Sequence, residues 1–129
     1  MELEQVFNKC KETVGKPDHD RYKKDLCRRC GSFAAEYQYK YLAEIGSDDE
    51  VKDALLNQSC LGAQWQVEYC KNITDSEEMR KALLNHNPNV VYEELIQYCS
   101  EVKDRPEFRD RIVKSTAFLI HGYEIFCGH

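Results

Sequence analysis

The side chains of this 129-residue chain with the greatest capacity for chemistry are seven cysteines: Cys10, Cys27, Cys30, Cys60, Cys70, Cys99 and Cys127. Thiols in this number do one of three things. They pair as disulfides in an oxidising compartment, they hold a soft metal such as zinc, or they stay reduced as small buried hydrophobes. Cys27-x2-Cys30 has the spacing of half a zinc site, and Cys127-Gly128-His129 offers a second fragment. The nine residues between Cys60 and Cys70 exceed ribbon or finger spacing, so an intracellular zinc protein is the weakest of the three readings. A thioredoxin-type redox role lacks the βαβ pattern that normally surrounds Cys-x-x-Cys. Two sequons, Asn57-Gln58-Ser59 and Asn72-Ile73-Thr74, make Asn57 and Asn72 glycosylation candidates. With the cysteine count they point to a secreted or lumenal setting of the endoplasmic reticulum or lysosome kind.

Catalytic patterns are a different matter. The chain has no HExxH pair, no Gly-x-Ser-x-Gly elbow and no phosphate-cradling glycine loop. The expectation is a protein that is not an enzyme, with no cofactor and no metal. The net charge of −5 argues against a nucleic-acid surface, which is normally basic on one face. Arg21, Lys23, Lys24, Arg28 and Arg29 alternate with acids and apolar residues, as on a solvated helix face. The acidic run Asp48, Asp49, Glu50 and Asp53 suits the first turn of a helix and lacks the glycine-centred spacing of a calcium loop.

The elements that must carry these residues are helical. Apolar residues recur with helical period throughout, and no segment alternates as a strand does. Leu3, Val6, Phe7, Cys10 and Val14 form one stripe, closed by Gly15 and Pro17. A second helix is expected from Asp18 or Asp20 to Gly46, carrying Tyr22, Leu26, Cys30, Phe33, Tyr37, Tyr41 and Ile45. On it Cys27 and Cys30 would share one face. Ser47 and Glu50 read as a capping box opening a third helix through Cys60, with a break at Gly62. Thr74 or Asp75 recaps the chain, and Asn87-Pro88 and Asp104-Arg105-Pro106 each mark a helix start. The sum is a single domain over residues 1–129, a bundle of about five to seven helices. Met1 runs straight into Glu2-Leu3-Glu4-Gln5 without a basic or apolar leader, which reads as a mature form carrying a start Met and no signal peptide.

From Cys27 to Cys99 the cysteine order resembles the saposin-like family. Cys27-Arg28-Arg29-Cys30 matches the opening pair, Cys60 the third cysteine, Cys70 the fourth and Cys99, after Asn87-Pro88, the last. The family's fifth cysteine would fall near Tyr92 or Glu93, and neither is cysteine. The resemblance implies an all-α, disulfide-stapled bundle with a saposin-like core at about residues 20–103. It places one extra helix at each end, about 2–15 and 106–127, and implies Cys27–Cys99 and Cys60–Cys70 bridges. Cys10, Cys30 and Cys127 are left with three connectivities, and an unpaired cysteine allows a covalent homodimer. The family's habit implies contact with lipid or a membrane surface. The alternative is a secreted factor that binds a receptor or other protein partner, favoured by a mean hydropathy of −0.69 and Tyr-rich faces.

Binding surfaces have two sets of candidates. Tyr37, Tyr39 and Tyr41 put aromatics on more than one side of their helix, so at least one should be exposed. The segment Thr116–Cys127 is apolar nearly all round, like a central helix of a bundle, and otherwise offers Phe118, Ile120 and Ile125 as an apolar surface. His121 within it is read as a core or boundary histidine, and Trp65 as a core anchor.

Overall fold

A computed structural model describes residues 1–115. Phe118, Ile120, His121, Ile125 and Cys127 therefore lie outside the described residues, as does most of the expected last helix. Among the described residues there are eight α-helices and no strand, so the chain is all-α as the periodicity requires. They are α1 (Leu3–Glu12), α2 (His19–Cys27), α3 (Ser32–Lys40), α4 (Asp49–Leu56), α5 (Ala63–Asn72), α6 (Glu77–Asn85), α7 (Tyr92–Glu101) and α8 (Pro106–Val113). A π turn (Tyr41–Ile45) extends α3, and a 3-10 turn (Cys60–Gly62) leads directly into α5.

The first hairpin follows from the stripe. Val6, Phe7 and Cys10 are buried on α1, and the chain reverses through Gly15 at φ 78°. Arg29 beyond the end of α2 donates to the Met1 carbonyl at 2.6 Å, so α1 and α2 run antiparallel. Val14, placed on the stripe by spacing, falls past the helix end and is exposed.

The long second helix is not continuous. It stops at Cys27, and Gly31 at φ 106° restarts it as α3. Two buried glutamines hold the break open. Gln38 Nε2 donates to the Leu26 and Arg29 carbonyls, and Gln58 Nε2 donates to the Arg29 carbonyl and to Gln38 Oε1. Gly31 N–H donates in turn to Gln58 Oε1. Carbonyls freed by ending a helix must be paired if they are buried, and these two side chains do it. Cys27 and Cys30 consequently do not share a helix face: Cys27 closes α2 and Cys30 sits in the connection.

Other boundaries move by a few residues for similar reasons. Asp48, not Ser47, caps α4, accepting from Glu50 N and Val51 N. Ser76 caps α6 through Met79 N. Asn87 organises a turn instead of starting α7: its carbonyl accepts from Val90 N and Val91 N, and the helix begins at Tyr92. Pro106 stands at the start of α8 as its punctuation predicts. The core runs through α1 to α8 in one connected cluster, from Val6 and Leu26 through Leu55 and Val67 to Tyr98, Phe108 and Ile112. Tyr98 and Phe108 stack at 3.8 Å between ring centres.

Candidate functional site

The cysteines come first, because the sequence pointed to them. All six that fall among the described residues are free thiols. Cys10 and Cys70 are buried, Cys27, Cys60 and Cys99 half-buried, and only Cys30 is exposed. The bridges implied by the saposin-like resemblance do not form in this arrangement. α5 alone puts about 10 Å of rise between Ala63 and Cys70, already beyond the roughly 7 Å a disulfide spans between Cα atoms. Cys60 lies a further turn upstream on the same helical run. Cys27 ends α2, which packs on α1, α3 and α4, whereas Cys99 lies on α7, which packs on α5 and α8. Burial, with nearby carboxylates, pushes the Cys10 thiol up to about 11 and the Cys27 and Cys70 thiols up to about 12. A thiol held protonated is a poor nucleophile and a poor metal ligand. No cluster of metal-ligating side chains occurs among the described residues.

The three tyrosines are spent on packing. Tyr37 leans on Phe7 with ring centres 5.3 Å apart and carries Lys40 over its face. Tyr39 packs on Trp65 at 5.7 Å, and its hydroxyl accepts from Asn72 Nδ2 at 3.1 Å. Tyr41 is buried, and its hydroxyl lies 2.7 Å from His19 Nε2. None of the three is exposed, contrary to the expectation from their spacing. Tyr37 and Tyr39 are covered by Phe7 and Trp65, and the π turn buries Tyr41 with Leu42.

Around Tyr41 the proton positions can be reasoned out. The Thr13 hydroxyl donates to the Lys9 carbonyl at 2.6 Å, so its oxygen accepts from His19 Nδ1 at 3.3 Å. His19 Nε2 and the Tyr41 hydroxyl share the ring's other hydrogen bond, and burial raises that hydroxyl to about 12. The chain Thr13–His19–Tyr41 is thus hydrogen-bonded throughout, a brace for the α1–α2 turn. The basic cluster is only partly a solvated face. Arg21, Lys24 and Arg28 are exposed, but Lys23 meets Asp48 at 3.0 Å, Glu50 at 3.5 Å and Asp20 at 3.6 Å, tying α2 to the start of α4.

A second network was not foreseen. Asp75, between α5 and α6, accepts from the Tyr98 hydroxyl at 2.8 Å and from Arg105 Nη2 and Arg80 Nη1 at 3.1 Å each. Arg105 Nε also donates to the Tyr98 hydroxyl at 2.8 Å. Burial alone would raise the Asp75 carboxyl, but these hydrogen bonds outweigh it and hold the group below its usual range. The members are five to thirty residues apart, so no spacing rule reveals them. The glutamine Gln66 is a further buried amide, donating to the Leu55 carbonyl and lying 2.7 Å from His86 Nε2.

No family model, curated protein or solved structure matches this chain.

Three surface features remain. Asn57 and Asn72 are both exposed, Asn57 at the end of α4 and Asn72 at the end of α5, where its amide also donates to Glu68. Phe33 (72% exposed) and Leu61 (66% exposed) project from α3 and the 3-10 turn, two elements that pack together. Finally, an open cleft of about 230 Å³ lies between the π turn, the start of α4 and the end of α5. Its lining includes Leu42, Ser47, Asp49, Lys52, Tyr69 and Ile73.

Proposed function

We propose that the chain is a non-catalytic binding module of a secreted or lumenal compartment that engages a protein partner. The observation that carries this reading is the exposure of Phe33 and Leu61, on two elements that pack together, outside the core. Among the described residues every thiol but Cys30 is buried or half-buried, and His19, His86 and Asp75 make internal hydrogen bonds, which leaves the surface to do the work. Burying both apolar side chains is worth about 3–6 kcal/mol, the scale of an interface hot spot. A bilayer anchor needs more, and a chain of charge −5 is repelled by anionic membrane surfaces. The saposin-like relation has the cysteine order and the all-helical class in its favour.

A photoreactive aromatic amino acid at position 33, in the presence of extracellular fluid from the source organism, tests the partner reading. The expected result is one discrete adduct, competed by excess wild-type protein but not by Phe33→Asp protein. The same probe at exposed Val14 should give none. Absence of any competed adduct overturns the reading. The compartment is tested separately by non-reducing peptide mapping of the natural protein. Disulfides support secretion; seven free thiols would remove it and leave the binding module standing.

A further inference from the structure

The cleft beside α4 holds one deeply buried polar group that no hydrogen bond among the described residues engages. Tyr69 is only 7% exposed, and its hydroxyl has no hydrogen-bond partner. It is not among the fully enclosed unsatisfied atoms either, so the hydroxyl opens onto the cleft that the residue lines. An amphipathic ring buried to that depth ordinarily finds a partner for its O–H. Lys52 lines the same cleft, and its own ion pair, with Glu78, is long at 3.8 Å.

Asp49 stands one helical turn before Lys52, yet the two do not pair. The Asp49 and Ser47 side chains make no hydrogen bond or ion pair with another described residue. The neighbouring Asp48, by contrast, is consumed by the α4 amides and Lys23. The cleft therefore presents the Lys52 ammonium and the unpaired Asp49 carboxylate one helical turn apart on α4, with the Tyr69 hydroxyl in the same lining. Leu42 and Ile73 supply apolar wall.

We infer that this cleft is a binding site for a small zwitterion of the free amino-acid class. The ligand carboxylate is taken by Lys52 and the Tyr69 hydroxyl, its ammonium by Asp49, and its side chain lies against Leu42 and Ile73. A ligand of one charge satisfies one wall and is repelled by the other; a zwitterion satisfies both. The cleft is small, at about 230 Å³, below the roughly 300–1,000 Å³ of pockets that hold drug-sized ligands. The inference is independent of the protein-partner reading, since Phe33 and Leu61 lie on other elements.

Three probes sharing one isobutyl tail test it by amide chemical-shift titration of the full chain: l-leucine, 4-methylpentanoate and 3-methylbutylamine. Leucine is expected to shift the amides of Ser47, Lys52 and Tyr69 saturably, with a Kd on the order of 1 mM. Each singly charged analogue should bind at least about tenfold more weakly. Tyr69→Phe removes only the hydroxyl and keeps the ring, and it too should weaken leucine about tenfold while the amide spectrum shows an intact fold. Lys52→Met should do likewise. No saturable shift with leucine up to about 10 mM, equal binding of either analogue, or full affinity in Tyr69→Phe would each overturn the inference.

Discussion

Tyr69 and Tyr98 carry the same hydroxyl in two situations, and the difference decides what each is for. The Tyr98 hydroxyl is bonded to both Asp75 and Arg105, and burial together with the Asp75 bond keeps it strongly protonated. Replacing it with Phe strips a carboxylate and a guanidinium of a partner at once. Tyr98→Phe should cost about 1.5–3 kcal/mol in urea unfolding, the range for a hydrogen bond to charged groups. Tyr69→Phe removes an unpartnered hydroxyl and should leave the urea midpoint unchanged within about 0.5 kcal/mol. A large loss there would mean that the Tyr69 hydroxyl has a structural partner. None of this was legible in the sequence, where both residues read as tyrosines on an amphipathic stripe. What separates them is a set of contacts across thirty residues of chain, and spacing rules see only neighbours.

The elements were more legible, because helical period and capping are local. Pro106, Gly15 and Gly46 each punctuate where their backbone preferences demand, and Val6, Phe7 and Cys10 are buried as their stripe predicts. The break between α2 and α3 was missed, though, since Tyr22 to Ile45 keeps an apolar rhythm straight through it. The signal was Gly31, whose φ of 106° is the conformation glycine alone adopts freely. The partners that stabilise the break, Gln38 and Gln58, look like ordinary polar residues until the fold brings them together. Gly31→Ala should therefore destabilise by about 1–2 kcal/mol through backbone strain, since no neighbouring atom lies within 4 Å of the added methyl. Gln58→Ala leaves Gly31 N–H, the Arg29 carbonyl and Gln38 Oε1 short of a bond each, and should cost about 2–4 kcal/mol. Denaturant titration of both checks the junction, and neutral results would show that the break needs no support.

At the scale of the whole molecule, the described helices keep their thiols buried or half-buried, Cys30 excepted. His86 and Asp75 contribute to the response to acid. Burial alone lowers the His86 value below the ordinary 6.5, so the neutral ring belongs to the fold. Its contribution is fully present above about 6.5 and is lost as the pH falls from there through the depressed folded value. Asp75, also depressed, keeps its contribution down to about 4 and loses it as the pH falls further through its folded value. Urea midpoints should thus decline between pH 7.5 and 5, and His86→Gln should flatten that decline relative to wild type. An unchanged slope in His86→Gln would place the acid response on another histidine. The cysteine order suggested lipid, while the surface left by folding suggests protein. No helix among the described residues is long and apolar enough to cross a membrane. The measurement that most directly separates the two is flotation of the full chain with neutral and anionic phospholipid vesicles at pH 7.5 and pH 5. The account predicts that the protein stays in the aqueous fraction under all four conditions. Co-flotation that is abolished by the Phe33→Asp, Leu61→Asp double substitution would contradict it and put a membrane where the account puts a protein partner.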